Sequence, residues 1–287
     1  MKKTLYLLLV LLLVAALCGC GSTTPQISGW TLQEEQHRQV AEGVAYMQLT
    51  YQDNQGAPYI LYVLSVDPGK AYLYTGTVSD SYDLIAPQGQ TVAAQMQYAE
   101  ENGIHAVAGI NGDFFSNKNG YIATGFCIKE GRIIRENTRY RPYSAFTKDG
   151  EYIICDGKLD KVDISAIRTA VGGSHVIVKN GKAYEVDHNS ELGATAHPRT
   201  LSGVKEDGTI LFVVIDGRQP ELSNGAPLAK CAQIMIALGA VDAINHDGGG
   251  SSTMVLHSGE IYETVNSPSD GKMRNVYNSI LVIPKDT

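Results

Sequence analysis

Ile210-Leu-Phe-Val-Val-Ile215-Asp-Gly-Arg218 and Val241-Asp-Ala-Ile-Asn245-His-Asp-Gly-Gly-Gly-Ser-Ser-Thr253 are the two stretches on which the fold is read. Each is a short apolar run that breaks off into a polar loop carrying an aspartate and glycine, the signature of a buried strand with a functional end. Between them Pro227 opens a helical pattern. Leu228, Cys231, Met235 and Leu238 share a face of it, and Gly239 stops it. Strand, helix and strand in succession point to an α/β arrangement.

Working outward, Gly203-Val204, the turn Glu206-Asp-Gly208 and the Ile210 run form a hairpin. A second helix is expected over residues 91–102, with Val92, Met96 and Ala99 inward and Asn102-Gly103 as its stop. A buried strand, Ile104 to Ile110, follows and opens onto Asn111-Gly-Asp-Phe-Phe115. Glycine turns at Glu130-Gly131, Asp149-Gly150, Asp156-Gly157 and Asn180-Gly181 punctuate short strands from 121 to 186, several of them hairpins. A last strand spans Ser279 to Ile283. Toward the N-terminus, the Val44–Tyr51, Tyr59–Leu64 and Leu73–Val78 runs are β-branched and aromatic. Residues 31–42 are polar and read as a short helix or linker. The expected fold class is α/β (α+β): a mixed β-sheet with packed helices and several hairpins, in a single large domain.

The first twenty residues read as an export signal. Lys2 and Lys3 precede an apolar run from Leu5 to Leu17, too short for a comfortable membrane span of about 20 residues but suited to a secretory leader. Leu17-Cys-Gly-Cys20 resembles a bacterial lipobox, which makes Cys20 the lipidated first residue of an exported protein anchored on the outer side of the cell membrane. The expected parts are therefore a lipoprotein signal peptide over 1–20, a polar tether over 21–42, a β-rich N-terminal part over 43–90 and the main domain over 91–287. Hydrophobic residues make up 44% and charged residues 18% of the chain, which is ordinary globular composition. A net charge of −7, with no lysine- or arginine-rich block, argues against a nucleic-acid partner. Cys127, Cys155 and Cys231 match no zinc spacing and read as buried thiols.

Three strands thus end in acidic loops, Asn111–Phe115, Asp216–Gln219 and Asn245–Thr253, and ligands of open α/β sheets bind at such strand ends. The glycines Gly248, Gly249 and Gly250 leave bare backbone whose N–H groups, with the hydroxyls of Ser251, Ser252 and Thr253, suit an anion. There is no P-loop lysine and no Gly-x-Ser-x-Gly. Arg199, in His197-Pro-Arg-Thr200, is a candidate bidentate grip on phosphate, with Arg218 and Arg274 as further candidates. Asp113, Asp216 and Asp247 are candidates for acid/base work, nucleophilic attack or metal binding. His246 is open as base, ligand or packed side chain.

Together Asn111–Phe115, His197–Thr200, Val214–Pro220, Leu238–Met254 and Arg274–Asn278 resemble the phosphodiester glycosidase family, in the family's order and over roughly residues 100–283. The resemblance implies hydrolysis of a sugar-1-phosphodiester at the anomeric carbon, releasing a sugar and a phosphomonoester. It places Arg199 and the Gly248–Ser252 backbone on the phosphate, with Asn111, Thr200, Arg218 and Arg274 in support, and Asp216 with Asp247 as first candidates for the carboxylate pair. The sequence departs from the family at Asp113, where a smaller residue is frequent, and at His246, where an apolar one is usual. The implied partners are a phosphorylated glycan and, through the anchor, a membrane. A divalent metal held by Asp113, His246 and Asp247 is the one candidate cofactor and would make a P–O-cutting phosphodiesterase. A non-catalytic phosphoglycan-binding envelope module is the alternative outside enzymology.

Overall fold

Runs of valine, isoleucine, tyrosine and threonine dominate this chain, and strands dominate its structure. The computed structural model describes residues 24–157, 162–184 and 190–285; the expected leader, Cys20 and the first residues of the expected tether lie outside the described residues. In chain order come β1 (Trp30–Ala41), β2 (Val44–Asp53), β3 (Pro58–Val66), β4 (Ala71–Thr77) and α1 (Val92–Glu101). Next are β5 (Ala108–Asn111), β6 (Phe115–Ser116), β7 (Ile122–Ala123), β8 (Cys127–Lys129) and β9 (Arg132–Arg135). Then follow β10 (Tyr143–Thr147), β11 (Tyr152–Cys155), β12 (Ile167–Gly172), β13 (His175–Lys179), β14 (Lys182–Ala183) and α2 (Glu191–Ala194). The last third holds β15 (Arg199–Lys205), β16 (Ile210–Ile215), α3 (Leu228–Ala237), β17 (Ala240–Asn245), β18 (Met254–Ser258), β19 (Ile261–Thr264) and β20 (Asn278–Pro284).

An eight-stranded sheet runs β1-β2-β3-β16-β15-β17-β13-β14, and two five-stranded sheets run β11-β10-β12-β8-β9 and β19-β18-β5-β20-β4. Neighbouring strands in these sheets pair antiparallel throughout. Among the described residues 47% are in strands and 13% in helices. The α/β expectation, a mixed sheet layered with helices, is therefore overturned: this is a mostly-β protein of stacked antiparallel sheets. The misleading unit is β16–α3–β17. Its two strands do run in the same direction, but β15 lies between them and is antiparallel to both. The polar 31–42 segment is corrected too, because it forms the long edge strand β1, paired with β2 from Trp30↔Asp53 to Ala41↔Val44 across register shifts at Leu32/Glu34 and Gln39/Ala41.

Burial on both faces explains why β16 is apolar without alternation. Ile210, Phe212 and Val214 join the core shared with the five-stranded sheets, whereas Leu211, Val213 and Ile215 pack beneath α3. On α3, Leu228, Cys231, Ile234 and Met235 are buried against that outer face, each large side chain contributing about 1.5–3 kcal/mol of hydrophobic transfer. α1 covers the outer face of the β4–β20 sheet with Val92, Met96 and Ala99, where it was expected, and Thr91 caps it by accepting from the Ala94 amide. Cys127, Cys155 and Cys231 are buried.

Candidate active site

The ends of β5 and β17, strands of different sheets, meet and bring two of the three acidic loops together. The Asp247 amide donates to the Gly112 carbonyl at 3.1 Å. Asn111, the last residue of β5, is the knot. Its Nδ2 donates to the Asp247 carbonyl at 2.7 Å, and its Oδ1 accepts from the Thr200 hydroxyl at 2.7 Å and the Thr253 amide at 3.0 Å. Asn111 and Thr200 are fully buried, so both build the site rather than face a ligand.

Asp113 is 1% exposed. Its Oδ2 accepts from the Gly125 amide, while its Oδ1 is buried with no hydrogen-bond partner and lies 3.9 Å from a guanidinium nitrogen of Arg141. Burial lifts the Asp113 carboxyl to about 7. Arg141 and the Gly125 amide oppose that rise, and the Asp247 charge adds to it. Gly172 is required beside it, since a Cβ there would stand 2.7–2.9 Å from the carboxylate. Asp247 keeps some surface exposed but is enclosed on nearly all sides. Burial raises it to about 6, offset by the Ser251 hydroxyl, by Arg274, by the Gly248 amide and by Arg141. The two carboxyls thus feel each other and share Arg141, and a pair of this kind titrates as a unit.

Asp216 is engaged otherwise. Its Oδ2 accepts from the Tyr62 hydroxyl at 2.9 Å and its Oδ1 from Asn266 Nδ2 at 3.0 Å, with the Ser267 amide bridging both oxygens. It is 1% exposed, and burial raises its carboxyl against these donors. Asn266 also donates to the Ser252 carbonyl and accepts from the Met254 amide. Asp216 therefore staples the 266–267 turn to the glycine loop.

Arg199, expected on the phosphate, is 1% exposed and turned inward. Its Nε donates to the Ala226 carbonyl at 2.8 Å, and one terminal nitrogen donates to Leu192 and Thr195 carbonyls at 2.7 and 2.9 Å. Three amides of the glycine loop are likewise engaged within the protein. The Gly249 amide donates to Pro198, Ser251 to Gly248 and Ser252 to Gly249. The glycines serve a different end, making room for arginines. The Arg218 guanidinium lies 3.1 Å from where a Gly249 Cβ would stand. The ion pair of Arg274 with Asp270, 2.7 Å long, occupies the place of a Gly250 Cβ. Arg274 also reaches the Ser251 hydroxyl at 3.4 Å. Ser252 Oγ and Thr253 Oγ1 are buried and unpartnered.

His246 is settled as a packed side chain. The Gly172 carbonyl lies 2.9 Å from Nδ1, which therefore carries the proton, and Nε2 faces the Ser202 hydroxyl at 2.7 Å. Burial lowers its pKa to about 4. With both nitrogens engaged it does not complete a metal set with Asp113 and Asp247. Among the described residues no three His, Cys, Asp or Glu side chains converge to hold a metal ion. Arg141, Tyr62, Asn266 and Asp270 went unread in the sequence. Arg141 is one of four arginines between 132 and 141, and no spacing distinguishes it.

The family model for phosphodiester glycosidases matches residues 105–283. A mouse N-acetylglucosamine-1-phosphodiester alpha-N-acetylglucosaminidase is 25% identical over 201 residues, covering 62% of this chain and 38% of that protein. The chain thus spans well under half of that relative. The zebrafish enzyme's catalytic domain, auto-inhibited by its pro-peptide, superposes with a TM-score of 0.62 at 17% identity, covering 93% of this chain and 86% of that one. A Burkholderia pseudomallei protein described as exported superposes at 0.67 and 18% identity, covering 92% and 99%. At these identities the superpositions speak for the fold alone. The match over 105–283 rests on more, since it takes in all three acidic loops, and the chain belongs to the phosphodiester glycosidase family.

Proposed function

We propose that this protein hydrolyses a sugar-1-phosphodiester by breaking the bond between the anomeric carbon and the bridging oxygen. Water supplies the new oxygen on the sugar, and the phosphate departs as a phosphomonoester. The observation that carries the proposal is the coupled pair Asp113 and Asp247 in the field of Arg141 and Arg274, with Arg218 over the neighbouring Gly249. Asp247 retains exposed surface and is the carboxyl that reaches the sugar. Asp113, behind it with the higher pKa, holds the pair's proton, which leaves Asp247 ionised and keeps a second negative charge away from the anionic diester. Arg274 and Arg218, laid over Gly250 and Gly249, hold the phosphate. A phosphomonoester leaving group, with a second pKa of about 6, needs little protonation to depart, so charge neutralisation by the arginines outweighs general acid catalysis. Asp216 and Arg199 are positioning residues in this scheme.

A panel of sugar-1-phosphodiesters tests it, in water enriched in heavy oxygen. Turnover should place the label on the sugar and should fall by about 10²–10⁴ in Asp247→Asn. Label on the phosphate would refute carbon–oxygen cleavage. The Leu5–Cys20 leader supports the further proposal that the enzyme works in the cell envelope on a phosphorylated glycan, anchored through Cys20. Labelled fatty acid should enter the wild type and not Cys20→Ser; equal labelling of both would remove the anchor.

A further inference from the structure

A cleft of about 440 Å³ is lined by Phe126, Ile133, Tyr140, Tyr143 and Ile164 with Glu136 at its side. It shares a wall with the acid site, residue by residue. Gly125 donates to Asp113 while Phe126, next in sequence, enters the cleft. Arg141 faces Asp113 while Tyr140 enters the cleft. Tyr143 lines it while its strand partner Gly172 abuts the Asp113 carboxylate.

Three large apolar side chains here are left in water: Ile133 at 42% exposure, Tyr140 at 63% and Ile164 at 46%. Singly such residues need no explanation, but gathered round a concavity they mark a binding surface. Tyr140 is moreover held outward at a cost, at φ +50°, in the left-handed region that residues other than glycine rarely adopt. Asn137 fastens that turn, accepting from the Arg141 amide and donating to the Arg141 carbonyl, both at 2.8 Å. Its amide is thereby engaged; Phe126, Ile133, Val162 and Ile164 offer only carbon, Tyr140 and Tyr143 their rings, and Thr138 and Glu136 form a polar edge. One turn therefore presents a guanidinium to the acid site and an aromatic ring to the cleft.

We propose that this cleft receives a hydrocarbon chain carried on the far ester oxygen of the substrate's phosphate. The substrate class is then a sugar joined through phosphodiester to a lipid-like alcohol. The inference rests on the glycosidase reading above. Glu136 fits it, because an exposed carboxylate beside the cleft keeps the phosphate on the arginine side, so the diester lies sugar-inward with its chain along the cleft.

The test is hydrolysis of one sugar-1-phosphate esterified with methyl, butyl, octyl or a branched isoprenoid alcohol, below micelle-forming concentrations. Wild type is compared with the double variant Tyr140→Ser, Ile164→Ser, both positions being too exposed to threaten folding. In the wild type kcat/KM should climb two- to fourfold per buried methylene from methyl to octyl. The double variant should flatten that climb and leave the methyl ester rate unchanged. A preference for the isoprenoid or for the straight chain supports the proposal equally and identifies the source. Turnover of all esters at one rate, or a climb the variant leaves intact, overturns the chain-binding cleft while the glycosidase stands. No turnover of any ester overturns the glycosidase reading, and the cleft proposal falls with it.

Discussion

Asp113 and Asp247 sit where a proton is worth most near neutrality, and the pair ties activity and stability to pH in opposite ways. With carboxyls lifted to about 7 and about 6, the singly protonated pair prevails between those values, so kcat/KM should trace a narrow bell there. Asp113→Asn keeps the shape but cannot ionise. Its profile should lose the alkaline limb, and an unchanged bell would take the proton off Asp113. Stability moves the other way. A carboxyl raised in the folded state stabilises fully below its unfolded pKa of 3.8, and that contribution is lost as pH rises through the folded value. Between pH 4 and 7.5 the melting temperature of Asp113→Asn should therefore gain on the wild type, the buried shift setting a ceiling on the order of 4 kcal/mol. The arginines divide just as sharply. Arg199→Ala removes the donor to one buried and two part-buried carbonyls and empties a fully buried site, and should cost about 3 kcal/mol, or roughly 6–12 °C of melting temperature. Arg274→Ala, at a half-exposed position, should lower kcat/KM about 10–100-fold with little change in melting. Reversal of those two readouts would return the phosphate to Arg199. Their residue types were legible in the sequence, their directions were not. Pro198 and Thr200 flank Arg199 as they would a binding arginine, and only the carbonyls of Leu192, Thr195 and Ala226 show that it faces inward.

At the scale of elements, composition locates the glycine loop after β17 but not what its glycines make room for. Three consecutive glycines suit an amide cradle, yet the amides of Gly249, Ser251 and Ser252 are engaged within the protein. What the loop needs is absence of side chains, on two different sides. A Cβ on Gly248 would stand 2.7 Å from the Pro198 carbonyl, a rigid backbone atom. A Cβ on Gly250 would meet first the ends of the Arg274 and Asp270 side chains, which can move. Gly248→Ala should accordingly destabilise the fold by about 1–3 kcal/mol. Gly250→Ala should fold normally and raise KM for the diester by displacing the ion pair. Thermal melts alongside Michaelis curves separate the two, and equal losses of stability would show that the arginine layer is not what Gly250 makes room for. The turns fared better in the sequence. Glu130-Gly131, Asp149-Gly150 and Asn180-Gly181 do join β8 to β9, β10 to β11 and β13 to β14, because positive φ at those glycines is a local requirement. β1 was missed for the opposite reason, since a sheet edge with one face in water carries Glu34, Glu35, His37 and Arg38 and loses the apolar alternation on which strands are read.

For the whole molecule, local patterns located β16, α3 and β17 but not the order of strands, which depends on pairings between distant residues. Inserting β15 between β16 and β17 converts an apparent parallel crossover into an antiparallel sheet, and neither apolar run records that partner. The same long-range pairing makes the motif-free N-terminal region indispensable. β3 pairs with β16 along its length, Ile210↔Val66 to Ile215↔Leu61, and supplies Tyr62 to Asp216. β4 pairs with β20 from Asn278↔Thr77 to Pro284↔Ala71. A chain beginning at residue 91 would retain the three acidic loops and lose the partner strand on one side of both β16 and β20. Six consecutive buried residues of β16 would then form an open sheet edge, a template for aggregation. Expressed from residue 91, the protein should be insoluble or molten. Expressed from residue 24, it should unfold in one cooperative transition, with β3 and β16 protected together in hydrogen exchange. A soluble, cooperatively folded 91–287 fragment would show that the sheet closes without its N-terminal strands. Asp216 would then lack its Tyr62 donor, and turnover by that fragment would show how far the stapled turn matters to the carboxyl pair.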